Sequence, residues 1–321
     1  MTRDNPRLIG RLFDTGSDDQ EIEVGPGMTL PRKHQLLWIE SGTAGADLER
    51  VDDALGWTDV LTHLAQPGDR PKIAVTPDFV RLRVVGLEKG TPHPKAVVLD
   101  LVAAPNIVVT VHDEPIAGLA VPIEVQEGET TLGALDAAAF TAMLLDGVLT
   151  GYFHAIEALE RRIDNLDERA LRASRADDIL AELVELRRAI ATLRRPLSSQ
   201  RDVFHALERP GLVLGDSVEA SWPLVADRFR QAMDSVENAR ELLVGSFDIA
   251  MTKAGQRTND IMRVLTVISS VLLPAVVVAG IMGMNFKVGL FDDPNNFFVV
   301  VAAMAALAAI ILLLARLRHW I

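Results

Sequence analysis

The sequence predicts an α+β protein with three successive parts: an N-terminal mixed α/β domain, a long helical stalk, and two C-terminal transmembrane helices, the first continuous with the stalk. Short β-branched apolar runs alternate with helical stretches up to about residue 135, and amphipathic helical periodicity follows from residue 136. Two apolar runs, Val264–Met282 and Phe297–Ala315, then contain no charged side chain. We therefore expect domains at 1–135, 136–260 and 261–321.

Composition narrows the class of protein before any motif is considered. The 321 residues carry a net charge of −12 and no cysteine, which excludes disulfides and thiolate metal sites. The acidic charge argues against nucleic acid, or an anionic membrane surface, as a partner of the soluble part. It is compatible with a cationic ligand.

Four apolar runs in the N-terminal part predict strands, and two stretches between them predict helices. The predicted strands are His34–Ile39, Phe79–Val85, Ala96–Val102 and Asn106–Val111, and the predicted helices are Asp47–Leu55 and Thr58–Leu64. The domain contains no glycine-rich phosphate loop and no nucleophile elbow. We therefore expect a mixed α/β domain without an enzymatic site, in a protein that is not an enzyme.

Apolar residues then recur at three- and four-residue steps within 145–166 and 179–197, which predicts two amphipathic helices. A proline and two glycines within Leu207–Asp216 interrupt the pattern, so we expect the chain to reverse direction there. A third helix is predicted from near Trp222 to Met282, about 90 Å at about 1.5 Å per residue. Since it extends far beyond a bilayer, it can carry displacement from the soluble domain into the membrane.

Each apolar run is long enough, at about 1.5 Å per residue, to cross a bilayer core of roughly 30 Å. Basic residues flank the two runs on one side, and the N-terminus lacks the apolar stretch of a signal peptide. We therefore expect a multi-pass protein of the plasma (inner) membrane, with the N-terminal domain and both termini in the cytoplasm. The flanking residues are Lys253, Arg257, Arg263, Arg316 and Arg318, against Lys287, Asp292 and Asp293 in the loop.

The end of the third predicted helix carries an ordered motif. Gln256–Pro274, QRTNDIMRVLTVISSVLLP, is followed by AGIMGMNF, and together they resemble the signature of the CorA family of divalent-metal transporters. The similarity combines an Asn-x-x-Met-x-x-Leu spacing, a Leu-Thr pair, a proline and a Gly-Met-Asn turn, in order and without gaps. Weaker similarity covers Leu186–Val203, Asp234–Leu243 and the closing residues 318–321.

The resemblance implies a homopentamer in the lipid bilayer, with the five first spanning helices around one pore and the second helices outside them. It implies that Gly283, Met284 and Asn285 form the selectivity filter, and that Asn259 lies among the pore residues. Asp248 matches a position where the family carries an acidic ring, which would concentrate cations. The transported divalent cation is the ligand implied; no cofactor and no nucleic acid partner is expected.

Residues spaced by three and four along the third helix share one face, which is mostly small or polar. If several copies converge on that face, Met262 and neighbouring Leu265 form a hydrophobic collar that excludes a hydrated cation when it is narrow. The alternative is that both are ordinary core residues of a helix bundle. The face comprises Asp248, Thr252, Gly255, Asn259, Met262, Thr266, Ser269, Leu273, Val277, Gly280 and Met284.

The Gly-Met-Asn turn has a chemical rationale for magnesium, which dehydrates reluctantly and keeps several waters when bound. Asn285 offers a neutral carbonyl to the water shell, so five copies would bind the hydrated ion without the tight hold of carboxylates. Gly283 permits a close approach or an unusual backbone angle where the helix ends. The turn is also explained as a helix C-cap at the membrane surface, which is compatible with a filter.

Three functions stay open. The leading one is conduction of hydrated divalent cations, with magnesium first. Related proteins move zinc, cobalt or nickel, but a pore without cysteine or clustered histidine offers oxygen ligands, which favour magnesium. The third is a membrane-anchored scaffold or sensor whose helical hairpin is only an anchor. Neither span contains a titratable residue, which favours a channel-like route over proton coupling.

Two departures from the family pattern bear on the expected site. The loop Phe286–Asn296 lacks the Met-Pro-Glu-Leu run of many members, and Leu224 stands where some members have a metal-sensing aspartate between subunits. Four aspartates of the helical part are candidates for binding cytoplasmic metal, although charged residues on long helices most often form a solvated face. They are Asp177, Asp178, Asp227 and Asp234.

Overall fold

The computed structural model describes residues 8–14, 19–64, 70–91, 94–119, 136–172, 177–208, 221–284 and 295–318. The chain divides into two compact units, one of Met1–Glu168 with Asp177–Ser246 and one of Arg169–Ala176 with Phe247–Ile321. The first unit contains a sheet and the helices that cover it, and the second contains the apolar C-terminal helices. Most of the predicted reversal within Leu207–Asp216 lies outside the described residues.

Seven strands in the described part of the chain form one mixed sheet. They are β1 (Ile9–Asp14), β2 (Gln20–Ile22), β3 (Gln35–Ser41), β4 (Lys72–Val75), β5 (Val80–Leu87), β6 (Ala96–Ala104) and β7 (Ile107–Val111). Their order is β2-β1-β3-β7-β6-β5-β4. β3 and β7 are parallel, and every other neighbouring pair is antiparallel.

The four predicted strands are confirmed as β3, β5, β6 and β7. Sequence patterns did not anticipate β1, β2 and β4. β2 and β4 have three and four residues and form the two edges of the sheet, where exposed positions need no apolar run. β1 contains a glycine and an arginine, so its sequence, IGRLFD, lacks a clear alternation.

The described residues form six α-helices. They are α1 (Gly45–Leu55), α2 (Ala137–Arg172), α3 (Asp177–Ser199), α4 (Arg201–Leu207), α5 (Ser221–Met282) and α6 (Asn295–Leu317). The predicted amphipathic helices are confirmed as α2 and α3, and the third predicted helix is confirmed as α5. α5 has 62 residues, of which the last part, from Phe247, belongs to the second unit.

The helix predicted at Thr58–Leu64 is wrong, because these residues form a series of turns. Asp59 adopts a positive φ of 52°, which a right-handed helix does not allow. The buried carboxylate of Asp52 then accepts hydrogen bonds from the Leu61 N–H at 3.1 Å and the Thr62 N–H at 3.3 Å. These bonds satisfy amides that a helix would have paired with its own carbonyls.

Helices cover both faces of the sheet. On one face, Leu37 and Ile39 of β3 belong to a buried cluster with Leu48 and Val51 of α1. On the other face, Phe140 of α2 packs against Trp38, with ring centroids 5.9 Å apart, and against Phe13, at 5.8 Å. Alternate residues of β3 therefore serve opposite layers of the core, which explains why the strand is nearly continuous in apolar residues.

Gln200, between α3 and α4, completes the open edge of β5 beyond its pairing with β4. Its side-chain oxygen accepts from the Val85 N–H at 2.9 Å, and its amide nitrogen donates to the Val85 carbonyl at 3.3 Å. The Tyr152 hydroxyl donates to the same carbonyl at 2.9 Å. Burial raises the pKa of Tyr152, so its hydroxyl stays protonated and keeps donating.

α2 lies in direct backbone contact with the turn that follows β7. Gly118 has a φ of +82°, and a Cβ there would lie 1.9 Å from the Gly147 carbonyl oxygen of α2. A Cβ on Gly151 would lie 2.5 Å from the carbonyl oxygen of Ala117. Glycine is therefore required on both sides of this contact.

Candidate functional site

Three helices of the described residues are long and apolar enough to cross a membrane: Ala137–Leu171, Trp222–Met282 and Phe297–Leu317. In the first, 61% of the most apolar window is buried inside the protein, whereas the corresponding shares in the other two are 6% and 0%. α2 therefore owes its apolar character to the core. α5 and α6 carry apolar surface that the single chain leaves uncovered, as membrane helices do.

One side of each C-terminal helix is less exposed than the rest. On α5 these residues are Val267, Val271, Pro274, Ala275, Val278 and Met282, and on α6 they are Val300, Met304, Ala308, Ile311 and Ala315. Both sets follow steps of three and four residues, the pattern that side-by-side helix packing produces. The protected stripe of α5, defined by its six residues, thus has a counterpart of the same kind on α6.

The face predicted to line a pore lies on the opposite side of α5 from the protected stripe. At 100° per residue, the mean direction of the protected stripe lies about 140° around the helix from the mean direction of the predicted face. Met262, Leu273 and Val277 have 55%, 65% and 51% of their surface exposed. This face therefore has no covering partner within the described part of one chain.

The predicted site residues lie in a row along one helix. Asp248, Asn259, Met262 and Leu265 are all exposed on α5. Because they are spread along the helix from position 248 to position 265, one chain does not bring them together as a cluster. Gly283 and Met284 directly follow the last residue of α5, whereas Asn285 lies outside the described residues.

Backbone hydrogen bonds continue past the end of α5 into the predicted filter. The Gly283 N–H donates to the Ala279 carbonyl at 2.9 Å, and the Met284 N–H donates to the Ile281 carbonyl at 3.2 Å. Gly283 does not adopt a left-handed φ. Of the two reasons given for this glycine, the unusual backbone angle is therefore wrong, and close approach is the one that remains.

The aspartates considered for cytoplasmic metal do not form a metal centre in the single chain. No group of three or more His, Asp or Glu that could hold a metal ion occurs among the residues that the structure describes. Asp227 pairs with Arg230, which also donates to Glu208 at 3.0 Å. Asp234 is exposed, and the side chains of Asp177 and Asp178 lie outside the description.

Sequence analysis missed the contacts that hold the first part of α5 within the first unit. Arg228 Nε donates to Asp146 Oδ1 of α2 at 2.8 Å, and its guanidinium carbon lies 4.9 Å from the centroid of the Phe153 ring. Phe229 stacks on Phe204 of α4 at 4.3 Å. Helical spacing shows which residues share a face, but it does not show which residues of another helix they meet.

Comparisons with known proteins agree with this architecture. The sequence profile of the family described as CorA-like Mg2+ transporter protein matches residues 33–316. The chain is 34% identical over 151 residues to the Cobalt/magnesium transport protein CorA of Thermotoga maritima, covering 45% of this chain and 41% of that one. It is 27% identical over 213 residues to the Divalent cation transporter CmaX of Pseudomonas aeruginosa, covering 64% and 62%. Each match spans less than two thirds of the relative's length.

Solved structures match over almost the whole chain. The CorA magnesium transporter from Methanocaldococcus jannaschii superposes with a TM-score of 0.79 at 18% identity, covering 98% of this chain and 99% of that one. The full-length CmaX protein superposes with a TM-score of 0.73 at 20% identity, covering 100% and 99%. At these identities the likeness shows a shared fold, which confirms the α+β architecture with two C-terminal apolar helices. Since the family profile extends over most of its residues, the chain belongs to the CorA-like Mg2+ transporter protein family, a family of membrane transporters and not of enzymes.

Proposed function

We propose that this protein is a homopentameric membrane transporter that conducts hydrated divalent cations, with magnesium as its physiological cation. The observation that carries the proposal is that the face of α5 predicted to line a pore is exposed and lies opposite the protected stripe. A helix that packs against its neighbour on one side, and leaves a small and polar face uncovered on the other, is suited to line a central pore. Five copies of α5 would enclose that pore, with α6 outside.

Residues with side-chain oxygens and apolar residues both occur along this face of α5, and we assign them different roles. The Thr266 hydroxyl donates to the Met262 carbonyl at 2.7 Å, which leaves its oxygen lone pairs available to accept hydrogen bonds from water in the pore. Met262 and Leu265 would form a collar that closes the pore by dewetting when the helices approach one another. Asp248, on the cytoplasmic side of this collar, would attract cations.

We assign ion selection to Gly283, Met284 and Asn285. The helical hydrogen bonds of Gly283 and Met284 keep this backbone in line with α5, and a residue without a side chain at position 283 allows five copies to approach closely. Neutral Asn285 carbonyls would accept hydrogen bonds from the water shell of a magnesium ion, which exchanges its waters reluctantly.

The proposal includes the domain division and the orientation inferred from sequence. Residues 1–135 would form the cytoplasmic α/β domain, 136–260 the cytoplasmic helical stalk, and 261–321 the two-helix pore domain in the plasma (inner) membrane. Lys253, Arg257 and Arg263 would then face the cytoplasm, as the excess of basic residues on that side of membrane proteins leads us to expect.

Cobalt is the second candidate cation, because the Thermotoga maritima relative is a Cobalt/magnesium transport protein. A filter that binds ions through their water shells separates divalent cations of similar hydrated size only modestly. Zinc and nickel transport belong to the same alternative. A scaffold or sensor anchored by its hairpin would transport none of these ions.

Flux into proteoliposomes, compared for magnesium, cobalt and zinc with and without a pH gradient, tests the proposal. We expect magnesium uptake that a pH gradient does not change. Asn285→Ala should abolish selective uptake, whereas Asn296→Ala, in the first turn of α6, should preserve it. A well-assembled oligomer that moves no divalent cation would contradict the proposed function, and native mass spectrometry of the purified protein tests the number of five copies.

A further inference from the structure

A cleft on the first unit is separate from the residues assigned to the pore. It has a volume of about 730 Å³ and lies between the β5–β6 connection, α2 and α3. Ligand sites in proteins are typically clefts of about 300–1,000 Å³ with mainly apolar walls and a few polar groups. We infer that this cleft binds a small organic anion that has an apolar body and a hydrogen-bond donor.

The floor of the cleft provides room for the apolar body. Small residues on two neighbouring helices leave this space open, namely Ala155 and Ala158 of α2 and Ala189 of α3. Leu159 and Leu193 add apolar walls, and both are buried. An apolar ring or short chain placed here would be removed from water without displacing any bulky side chain.

The basic residues of the rim supply the preference for an anion. Lys95 and Arg188 line the cleft, and within the described residues neither forms an ion pair. Arg162 faces Glu185 at a distance of 4.0 Å, so its charge is partly matched. An anionic ligand therefore meets two basic side chains that no described carboxylate already neutralises, and arginine in particular recognises carboxylate, sulfonate and phosphate groups.

Glu88 is the reason why we expect the ligand to carry a hydrogen-bond donor. Its Oε2 atom is buried and has no hydrogen-bond partner among the described residues, although the residue lines the cleft. Its backbone is held in place because its N–H donates to the Lys95 carbonyl at 2.9 Å. A buried carboxylate oxygen without a donor costs stability, so a ligand hydroxyl or amino group at this position would gain affinity.

Three naphthalene probes separate these contributions. 5-Aminonaphthalene-1-sulfonate has the ring, the anion and the donor; naphthalene-1-sulfonate lacks the donor, and 1-naphthylamine lacks the anion. Binding to the full chain in nanodiscs is measured by calorimetry, with empty nanodiscs subtracted. We expect saturable binding with 5-aminonaphthalene-1-sulfonate the tightest of the three. Absence of saturable binding above empty nanodiscs would overturn the inference.

Two variants identify the site. Arg188→Gln should raise the Kd of 5-aminonaphthalene-1-sulfonate about tenfold and leave the Kd of 1-naphthylamine unchanged. Arg187, the exposed neighbour of Arg188, lies outside the cleft, so Arg187→Gln should change neither Kd. Glu88→Ala should remove the tighter binding of 5-aminonaphthalene-1-sulfonate relative to naphthalene-1-sulfonate. Equal effects of Arg188→Gln and Arg187→Gln, or an unchanged preference in Glu88→Ala, would overturn the assignment. Because each variant is scored on differences between probes, a general loss of folded protein cannot imitate the expected result.

Discussion

Arg228 of α5 is joined to Asp146 of α2 by a hydrogen bond of 2.8 Å between Nε and Oδ1. The same guanidinium lies within 3.3 Å of the Thr150 hydroxyl and stacks over Phe153. One side chain thus links the start of the long helix to the helix that covers the sheet. Both charged side chains are partly exposed, so the ion pair itself is screened and contributes less than its geometry suggests.

Replacing Arg228 with leucine should lower the free energy of unfolding by about 1–2 kcal/mol, since a hydrogen-bonded ion pair and a cation–π contact are both lost. Guanidinium denaturation followed by tryptophan fluorescence measures this. Arg240→Leu is the matched control, because among the described residues Arg240 pairs with Glu237 of its own helix and with no residue of another element. Equal destabilisation by both variants would show that Arg228 acts through helix propensity alone.

Gly118→Ala should lower the free energy of unfolding by about 3 kcal/mol or more, because the new Cβ would overlap the Gly147 carbonyl. Gly27→Ala is the control, since Gly27 has a similar φ of +91° but nothing within 4 Å of the added carbon. That variant should lose only about 1 kcal/mol, the cost of a left-handed alanine. Thermal melts of the two proteins side by side test the difference.

Breaking the buried ion pair of Arg83 and Asp100 should lower the free energy of unfolding strongly, whereas replacing both residues by apolar ones should lower it little. The two side chains make a bidentate contact across β5 and β6, at 2.7 and 2.9 Å, and both are almost fully buried. Burial raises the pKa of Asp100, while the bond from Arg83 opposes that shift. Asp100→Asn or Arg83→Met alone should lower the free energy of unfolding by about 3–5 kcal/mol, whereas Arg83→Met with Asp100→Leu should recover most of it. Additive losses in the double variant would contradict this.

Asp52 should make stability fall as the pH rises. Burial raises its pKa above the ordinary value of 3.8, against the hydrogen bonds from the Leu61 and Thr62 amides. The folded state therefore binds the proton more tightly than the unfolded state, so stability is lost as the pH rises from about 3.8 through the folded pKa.

Denaturation of wild type and Asp52→Asn, compared from about pH 4 to about pH 7, tests this direction. The stability of the wild type relative to the variant should decrease across that window, because only the wild type has an ionisable side chain at position 52. Asp53→Asn, at an exposed position of the same helix, should run parallel to the wild type. A constant difference for Asp52→Asn would mean that the amide hydrogen bonds cancel the effect of burial on this pKa, and a difference that rises with pH would mean that they outweigh it.

Leu265→Ser should raise the basal leak of divalent cations in proteoliposomes if the proposed collar is the gate, because a hydroxyl allows water to wet a narrow apolar constriction. Val264→Ser is the matched control. Val264 is the preceding residue and is also exposed, but it points about 100° away around the helix. An unaltered leak in Leu265→Ser would show that the gate lies elsewhere along the pore.

Much of the fold could be predicted from the sequence because its signals are local. The β-branched and apolar runs identified β3, β5, β6 and β7, and the absence of proline between Pro223 and Pro274 identified most of α5, which continues through Pro274 to Met282. Short edge strands such as β4 and the turns at 58–64 were missed. Their conformation depends on partners distant in sequence, including the carboxylate of Asp52 and the pairing of β4 with β5.

The candidate site likewise has features that the local sequence determines and features that depend on the tertiary structure. Helical periodicity was enough to place Asn259 and Met262 on one face of α5, and charge-free runs of sufficient length were enough to identify two apolar helices. Only the tertiary structure decided which side of α5 is protected and that α2, which is also long and partly apolar, is a core helix. It also decided that Arg228 meets Asp146. Periodicity is set by covalent geometry within one segment, whereas partners are chosen by packing between segments, and that choice exists only once the chain has folded.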